Sequence, residues 1–286
     1  MNTSAADHSF IRRHQLIIFF VLVFVLTWPF LIVDALGSHG VFPFRLGIPL
    51  LILTGYMPTL AAVIVTGLTK GKAGIRALFG KLLISRVGFV WYLFAILGFG
   101  GLCVVAVLLY NLFGESPSLP ILSKDLPPYS SLIVLILNIL GLYVITGIIN
   151  GEELAWRGFA LPRLQAKYTA LTSSLILGVI WTSFHLPLFF TLTGSSQAGE
   201  SPVGFLISTV SLAVLFTWMY NHTRGSVLIA YLLHASVNTW TRVFSIDPAN
   251  VFESWIITGL TALLALIVLV REGSENLSLT MTRVQE

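Results

Sequence analysis

Residues 132–157 read LIVLILNILGLYVITGIINGEELAWR. Eighteen of them, 132–149, carry no charge; the next eight bring two carboxylates and a guanidinium. A helix crossing the hydrocarbon of a bilayer needs about 20 apolar residues, so the first part has the length of a membrane span. Ionisable groups at its end are costly in hydrocarbon unless they meet one another or face an internal cavity, and there they usually do chemistry or transport. The stretch predicts a membrane helix whose end is part of a functional site.

The rest of the chain agrees. Of its 286 residues, 56% are hydrophobic and 10% charged, whereas roughly a quarter of the residues in a globular protein are charged. Apolar windows of span length fall at about 15–36, 48–68, 89–113, 129–150, 170–192, 202–221, 226–245 and 251–271. Their composition predicts an all-α polytopic membrane protein, a bundle of about eight transmembrane helices enclosing a cytoplasm-facing cavity. The first window follows Arg12 and Arg13 as a secretory signal would, but it is longer than an h-region of about 7–15 residues and reads as a retained anchor.

Charge sets the orientation. With the N-terminus inside, the cytoplasmic segments hold 13 of the 16 Lys and Arg residues, leaving Arg45, Lys124 and Arg242 outside. That bias predicts a multi-pass protein with both termini cytoplasmic, and the short loops without organellar signals point to a cell membrane of prokaryotic plasma-membrane type. The +4 net charge is absorbed by these loops and implies no nucleic-acid partner. The single Cys103 builds no disulfide framework. A single integral domain over 1–286 is expected, with a motif-bearing core at about 130–245, a basic cytoplasmic loop at 69–88, an outer loop at 114–128 and a polar, mobile tail at 272–286. Asp34 and Arg242 lie near outer span ends and read as snorkelling or wetted groups. Trp28, Trp91, Trp218, Trp240 and Trp255 read mostly as interface anchors.

Three motifs carry the chemistry: Glu152-Glu153-x-x-x-Arg157, Trp181-x-x-x-His185 and His234-x-x-x-Asn238. Neighbouring residues on a helix point about 100° apart, so the two glutamates cannot share one role. Glu153 and Arg157 are four apart with the acid first, the favourable order for an ion pair. Glu152 is then left without a local counter-charge and is the better proton acceptor. His185 lies deep in its span, on one face with Trp181. His234 and Asn238 share a helix face and can both donate toward one point, as an oxyanion site requires. The same groups also fit plainer roles: wet acids at a span end, a packing histidine, an interhelical polar clasp.

At these motifs the sequence resembles the CAAX protease and bacteriocin-processing group of intramembrane proteases, the Abi or type II CAAX prenyl endopeptidase family. That family's pattern is Glu-Glu-x-x-x-Arg, Phe-x-x-x-His and His-x-x-x-Asn or Asp; here Trp181 stands where Phe is usual. The resemblance implies an intramembrane glutamic endopeptidase acting on a membrane-bound protein or peptide, prenylated or cut near its C-terminal tail. By position, Glu152 would activate water with help from His185, His234 and Asn238 would stabilise the oxyanion, and Glu153 with Arg157 would fix the helix bearing the base.

No cofactor is expected. Two other readings stay open: a hydrolase using a divalent metal held by the acids and histidines, and a proton-coupled transporter or non-catalytic scaffold. Glu152 and His185 also pose a problem of depth. One sits at the end of its span, the other some fifteen residues into the next, a difference of over 20 Å along a helix. A single continuous helix over 145–165 would bring them level.

Overall fold

A computed structural model describes residues 10–113, 131–192, 195, 197–247 and 249–285; the outer loop expected at 114–128 lies outside the described residues. Among the described residues the chain is helical, without strands. The helices are α1 (Gln15–Ser38), α2 (Ile48–Thr54), α3 (Met57–Gly80), α4 (Phe89–Phe113), α5 (Leu132–Ile149), α6 (Leu161–Gln165), α7 (Ala170–His185), α8 (Pro202–His222), α9 (Val227–Val243) and α10 (Val251–Glu272). A π-helical turn, Leu154–Ala160, leads into α6, and a 3₁₀ turn, Leu186–Phe190, follows α7.

Six of these are long and apolar enough to cross a membrane: α1, α4, α5, α7 with its 3₁₀ extension, α8 and α10. The span expected at 48–68 is instead α2 and α3, bent by 42° at the break; counted as one span it makes seven. The span expected at 226–245 is α9, with 17 residues. It packs against α4, α5 and α8. Surrounded by protein, α9 has little need of a lipid-compatible surface, so it can carry His234, Ser236 and Asn238.

Short-range chemistry starts the helices where the sequence allows. Ser131, Thr169, Ser201, Ser226 and Asn250 each accept a bond from a first-turn amide of α5, α7, α8, α9 and α10, satisfying donors that have no partner within the helix. The π-bulge of α4 at Phe94–Gly98 turns the Ile96 carbonyl toward α9, where it accepts from Trp240 Nε1 at 2.7 Å and Ser236 Oγ at 3.1 Å. Trp240 is therefore an interhelical clamp rather than an interface anchor.

Two other expectations change. The segment 69–88 is mostly helical: α3 continues through it to Gly80. The bend comes at Gly71, whose φ of 63° lies in the left-handed region that glycine enters without strain. Beyond it, Lys81 Nζ donates to the Gly158 carbonyl at 2.6 Å. The tail after α10 is docked. The Ser274 and Glu275 carbonyls accept from the Leu171 and Ala170 amides at the start of α7. Val284 bonds to Asn221 and Gln165, and Leu277 is fully buried.

The continuous helix expected over 145–165 is not formed. α5 ends at Ile149, Asn150 is extended, and helical structure resumes at Leu154 in π form. The break is stabilised from α3: Tyr56 donates its hydroxyl to the Ile148 carbonyl, and Thr59 Oγ1 bonds the Gly151 carbonyl at 2.6 Å. Every residue from Asn150 to Gln165 is buried. Arg157 and Arg163 therefore belong to the interior, and the cytoplasmic charge tally drops from thirteen to eleven. The depth problem is solved by symmetry about a turn. Glu152 lies sixteen residues before Tyr168 and His185 seventeen after it, so a helical hairpin folded there brings the two level.

Close packing of the second hairpin arm predicts a stability test. A Cβ on Gly178 of α7 would stand 2.6 Å from Val210 Cα of α8, so Gly178→Ala forces the helices apart at a cost of about 1–3 kcal/mol. Thermal unfolding in detergent should show a lowered Tm for Gly178→Ala and none for Gly141→Ala, where a Cβ meets open space.

Candidate active site

The hairpin and α9 bring the three motifs together. Glu152, at the break between α5 and the π turn, is 8% exposed. Its Oε2 accepts two indole hydrogen bonds, from Trp156 Nε1 and Trp181 Nε1, each 2.8 Å. Its Oε1 lies 3.9 Å from His185 Nε2. One oxygen of the carboxylate is thus fixed by two donors, and the other faces the imidazole.

His185 is oriented from its own helix. Its Nδ1 is 2.9 Å from the Trp181 carbonyl, which can only accept, so Nδ1 carries the hydrogen. In the neutral ring Nε2 is then a bare acceptor. Glu152 Oε1 and His185 Nε2 are two acceptors on opposite sides of one gap.

Glu153 is fully buried. It accepts from Arg157 Nη1 at 2.9 and 3.1 Å through its two oxygens, the i, i+4 pair expected from spacing. It also accepts from His234 Nδ1 at 2.7 Å, a bond that joins α9 to the π turn and that spacing could not show. The Arg157 guanidinium lies 3.8 Å from the Phe216 ring centre and 4.8 Å from that of Trp181. The buried cation therefore has an anion on one side and aromatic faces on the others, arrangements that offset its lost hydration.

Asn238 is one turn from His234 on α9, partly exposed, and its side chain makes no hydrogen bond among the described residues. The sequence motifs thus converge in two linked groups, Glu152 with His185 and Glu153 with Arg157 and His234. Trp181 bridges them: it donates to Glu152, lies over Arg157 and packs edge-on against His234 with ring centres 5.4 Å apart.

A cleft of about 210 Å³ reaches Glu152 and His185. Its walls come from Leu31 and Asp34 of α1, from Leu51, Thr54 and Gly55 at the α2–α3 break, and from Phe184, Leu188 and Ser195. Asp34 is not a wetted span end. It is 2% exposed and accepts from Arg45 Nη2 at 2.8 Å and the Leu46 amide at 3.0 Å, so the carboxylate that lines the cleft is ion-paired. The lone arginine eleven residues after a lone aspartate was the available signal. Trp156 was legible too, four residues after Glu152. Among the described residues no group of three or more His, Cys, Asp or Glu side chains is placed to hold a metal ion.

Trp181→Phe keeps the ring and removes one donor from Glu152. A hydrogen bond to a charged group contributes about 1.5–3 kcal/mol, so any turnover depending on Glu152 should fall about tenfold or more in kcat, with KM little changed. An unchanged kcat would assign the indole to packing alone. Glu153→Gln removes the charge partner of a buried Arg157, a change that costs about 3–5 kcal/mol. Its Tm in detergent should fall well below that of Glu152→Gln.

Residues 132–240 match the family model for the Type II CAAX prenyl endopeptidase Rce1-like domain. A relative named CAAX prenyl protease 2, from Methanococcus maripaludis, is 30% identical over 92 residues, covering 30% of this chain and 34% of that protein. The chain thus aligns with about a third of that relative's length. The matched segment contains Glu152, Glu153, Arg157, Trp181, His185, His234 and Asn238, and over it the chain is similar to the Rce1-like type II CAAX prenyl endopeptidases.

Proposed function

We propose that the protein is an intramembrane endopeptidase in which Glu152 activates the attacking water. The observation that supports this most directly is the gap between Glu152 Oε1 and His185 Nε2. Two acceptors 3.9 Å apart suit one molecule with two hydrogens to give, and water bridges such pairs at ordinary hydrogen-bond length. Donating both hydrogens turns the water's lone pairs away from the protein, toward whatever carbonyl lies in the cleft.

In the proposed reaction the water oxygen bonds to the scissile carbonyl carbon and its proton passes to Glu152 Oε1. The C–N bond then breaks, and the same proton goes to the leaving amine. The two indoles hold Oε2, so the base keeps one orientation throughout. The tetrahedral oxyanion needs donors, and Asn238 has an uncommitted amide. His234 gives its Nδ1 hydrogen to Glu153, so its Nε2 donates only from the doubly protonated ring. In that state the charges of Glu152, Glu153, Arg157 and His234 balance.

The chemistry of the cleft suits a peptide presented at the membrane. The name of the Methanococcus relative, a prenyl protease, makes a lipidated protein tail one substrate to try. No metal is required in this scheme, because the glutamate supplies the base.

Purified protein in detergent micelles with a panel of membrane-anchored peptides tests the reading. Glu152→Gln should abolish cleavage while keeping the wild-type Tm; substantial turnover in that variant would remove Glu152 from the role of base. A strong chelator should leave the rate unchanged, and loss of activity restored by added zinc or manganese would favour a metal hydrolase. Removing one oxyanion donor typically lowers turnover by about 100–1,000-fold. Asn238→Ala should therefore act on kcat far more than on KM; an effect confined to KM would make Asn238 a substrate clasp.

A further inference from the structure

Two expectations drawn from the sequence, basic loops inside and a cavity facing inside, do not fit one arrangement of these helices. The basic segments gather at one end of the bundle. Arg12 Nε donates to the Thr69 carbonyl at 3.1 Å, beside Lys70. Arg283 Nε donates to the Gln165 carbonyl at 2.8 Å, beside Lys167, and Arg224 bonds the Arg86 carbonyl.

The cleft lies far from that end on three independent helices. His185 is fifteen residues along α7 from Ala170, about 22 Å at 1.5 Å per residue. Asp34 is nineteen residues along α1 from Gln15, about 28 Å on the same measure. Thr59, bonded to the Gly151 carbonyl next to Glu152, is eleven residues along α3 from Lys70, about 16 Å away.

In the other direction the distances are short. Asp34 is four residues from the end of α1 and Thr54 six from the start of α2, so about 6–9 Å separates the cleft from that end. The hydrocarbon layer is about 30 Å thick, which puts the cleft in the half of the bilayer opposite the basic segments. The cleft continues to Ser195, in the connection between α7 and α8. Its rim is tied there by His39 Nε2 to the Phe190 carbonyl at 2.8 Å and by the Leu192 amide to Ser38 Oγ at 3.1 Å.

Lys and Arg bias marks the cytoplasmic side of a membrane protein. The geometry points to a cleft that opens on the extracytoplasmic face, so that its substrate is a peptide segment emerging on the outer side of the membrane rather than a cytoplasmic tail. This rests on the peptidase reading for what enters the cleft, and on helix geometry and charge for the side of entry. The apolar walls, Leu31, Leu51, Phe184 and Leu188, suit an extended uncharged segment.

The side of opening can be read without any turnover. Cys103 is the sole cysteine and is fully buried, so a Cys103→Ser background is silent to thiol reagents. On that background, Ser195→Cys places a reporter at the mouth and Lys72→Cys one among the basic segments. With a membrane-impermeant maleimide on intact cells, Ser195→Cys should label and Lys72→Cys should label only after permeabilisation. Labelling of Ser195→Cys only after permeabilisation would overturn the proposal. Should Ser195→Cys fail to accumulate, because it loses the bond to the Leu188 carbonyl, the exposed Leu192→Cys gives the same reading. A protein without peptidase activity would still report the side, so the two readings fail separately.

Discussion

A carboxylate with no water around it has to be given partners, and Glu153 has them on two sides. Arg157 comes from the next helical turn of the same segment and His234 from α9, eighty-one residues later. Leaving such a group unpaired would cost several kcal/mol, so the π turn and α9 are obliged to meet in one register. That requirement places His234 against Trp181, and Trp181 in turn reaches Glu152. The groups proposed to do chemistry are thus positioned by a pair of buried charges that need not react.

The backbone around the site is irregular where it is most buried. α5 stops one residue short of Asn150, α3 starts after a break at Gly55 and Tyr56, and the two interruptions face each other. Irregular backbone within a bilayer is tolerated only where protein satisfies it. Here Tyr56 and Thr59 bond the carbonyls freed at Ile148 and Gly151. The interruption lets Glu152 point into the cleft while Glu153, its neighbour, points into the packed interior.

Much of this was legible in the sequence, and the limits have physical causes. The spans of α1, α4, α5, α7, α8 and α10 follow from apolar length, which is a local property. The Glu153–Arg157 pair follows from helical spacing, and the separation of the two glutamates from the 100° step. Hydropathy also assigns a span to α9 by composition, and it cannot show that protein surrounds that helix. Arg157 and Arg163 were counted with the cytoplasmic segments, because a charge tally does not register burial. The bond from Glu153 to His234 joins residues far apart in sequence, and no periodicity reports such a contact. Asp34 reads as a wetted span end in the sequence because its partner, Arg45, lies past the end of its helix in a stretch with no regular pattern.

The docked tail sets an order on assembly. The amides at the start of α7 are satisfied by the carbonyls of Ser274 and Glu275, over a hundred residues further along the chain. During synthesis, the hairpin that brings Glu152 level with His185 can insert and close before those partners exist. Its turn then stays uncovered until α10 has crossed and the segment after it has come back. The segment after α10 thus closes over the basic end of a hairpin whose other end carries Glu152 and His185.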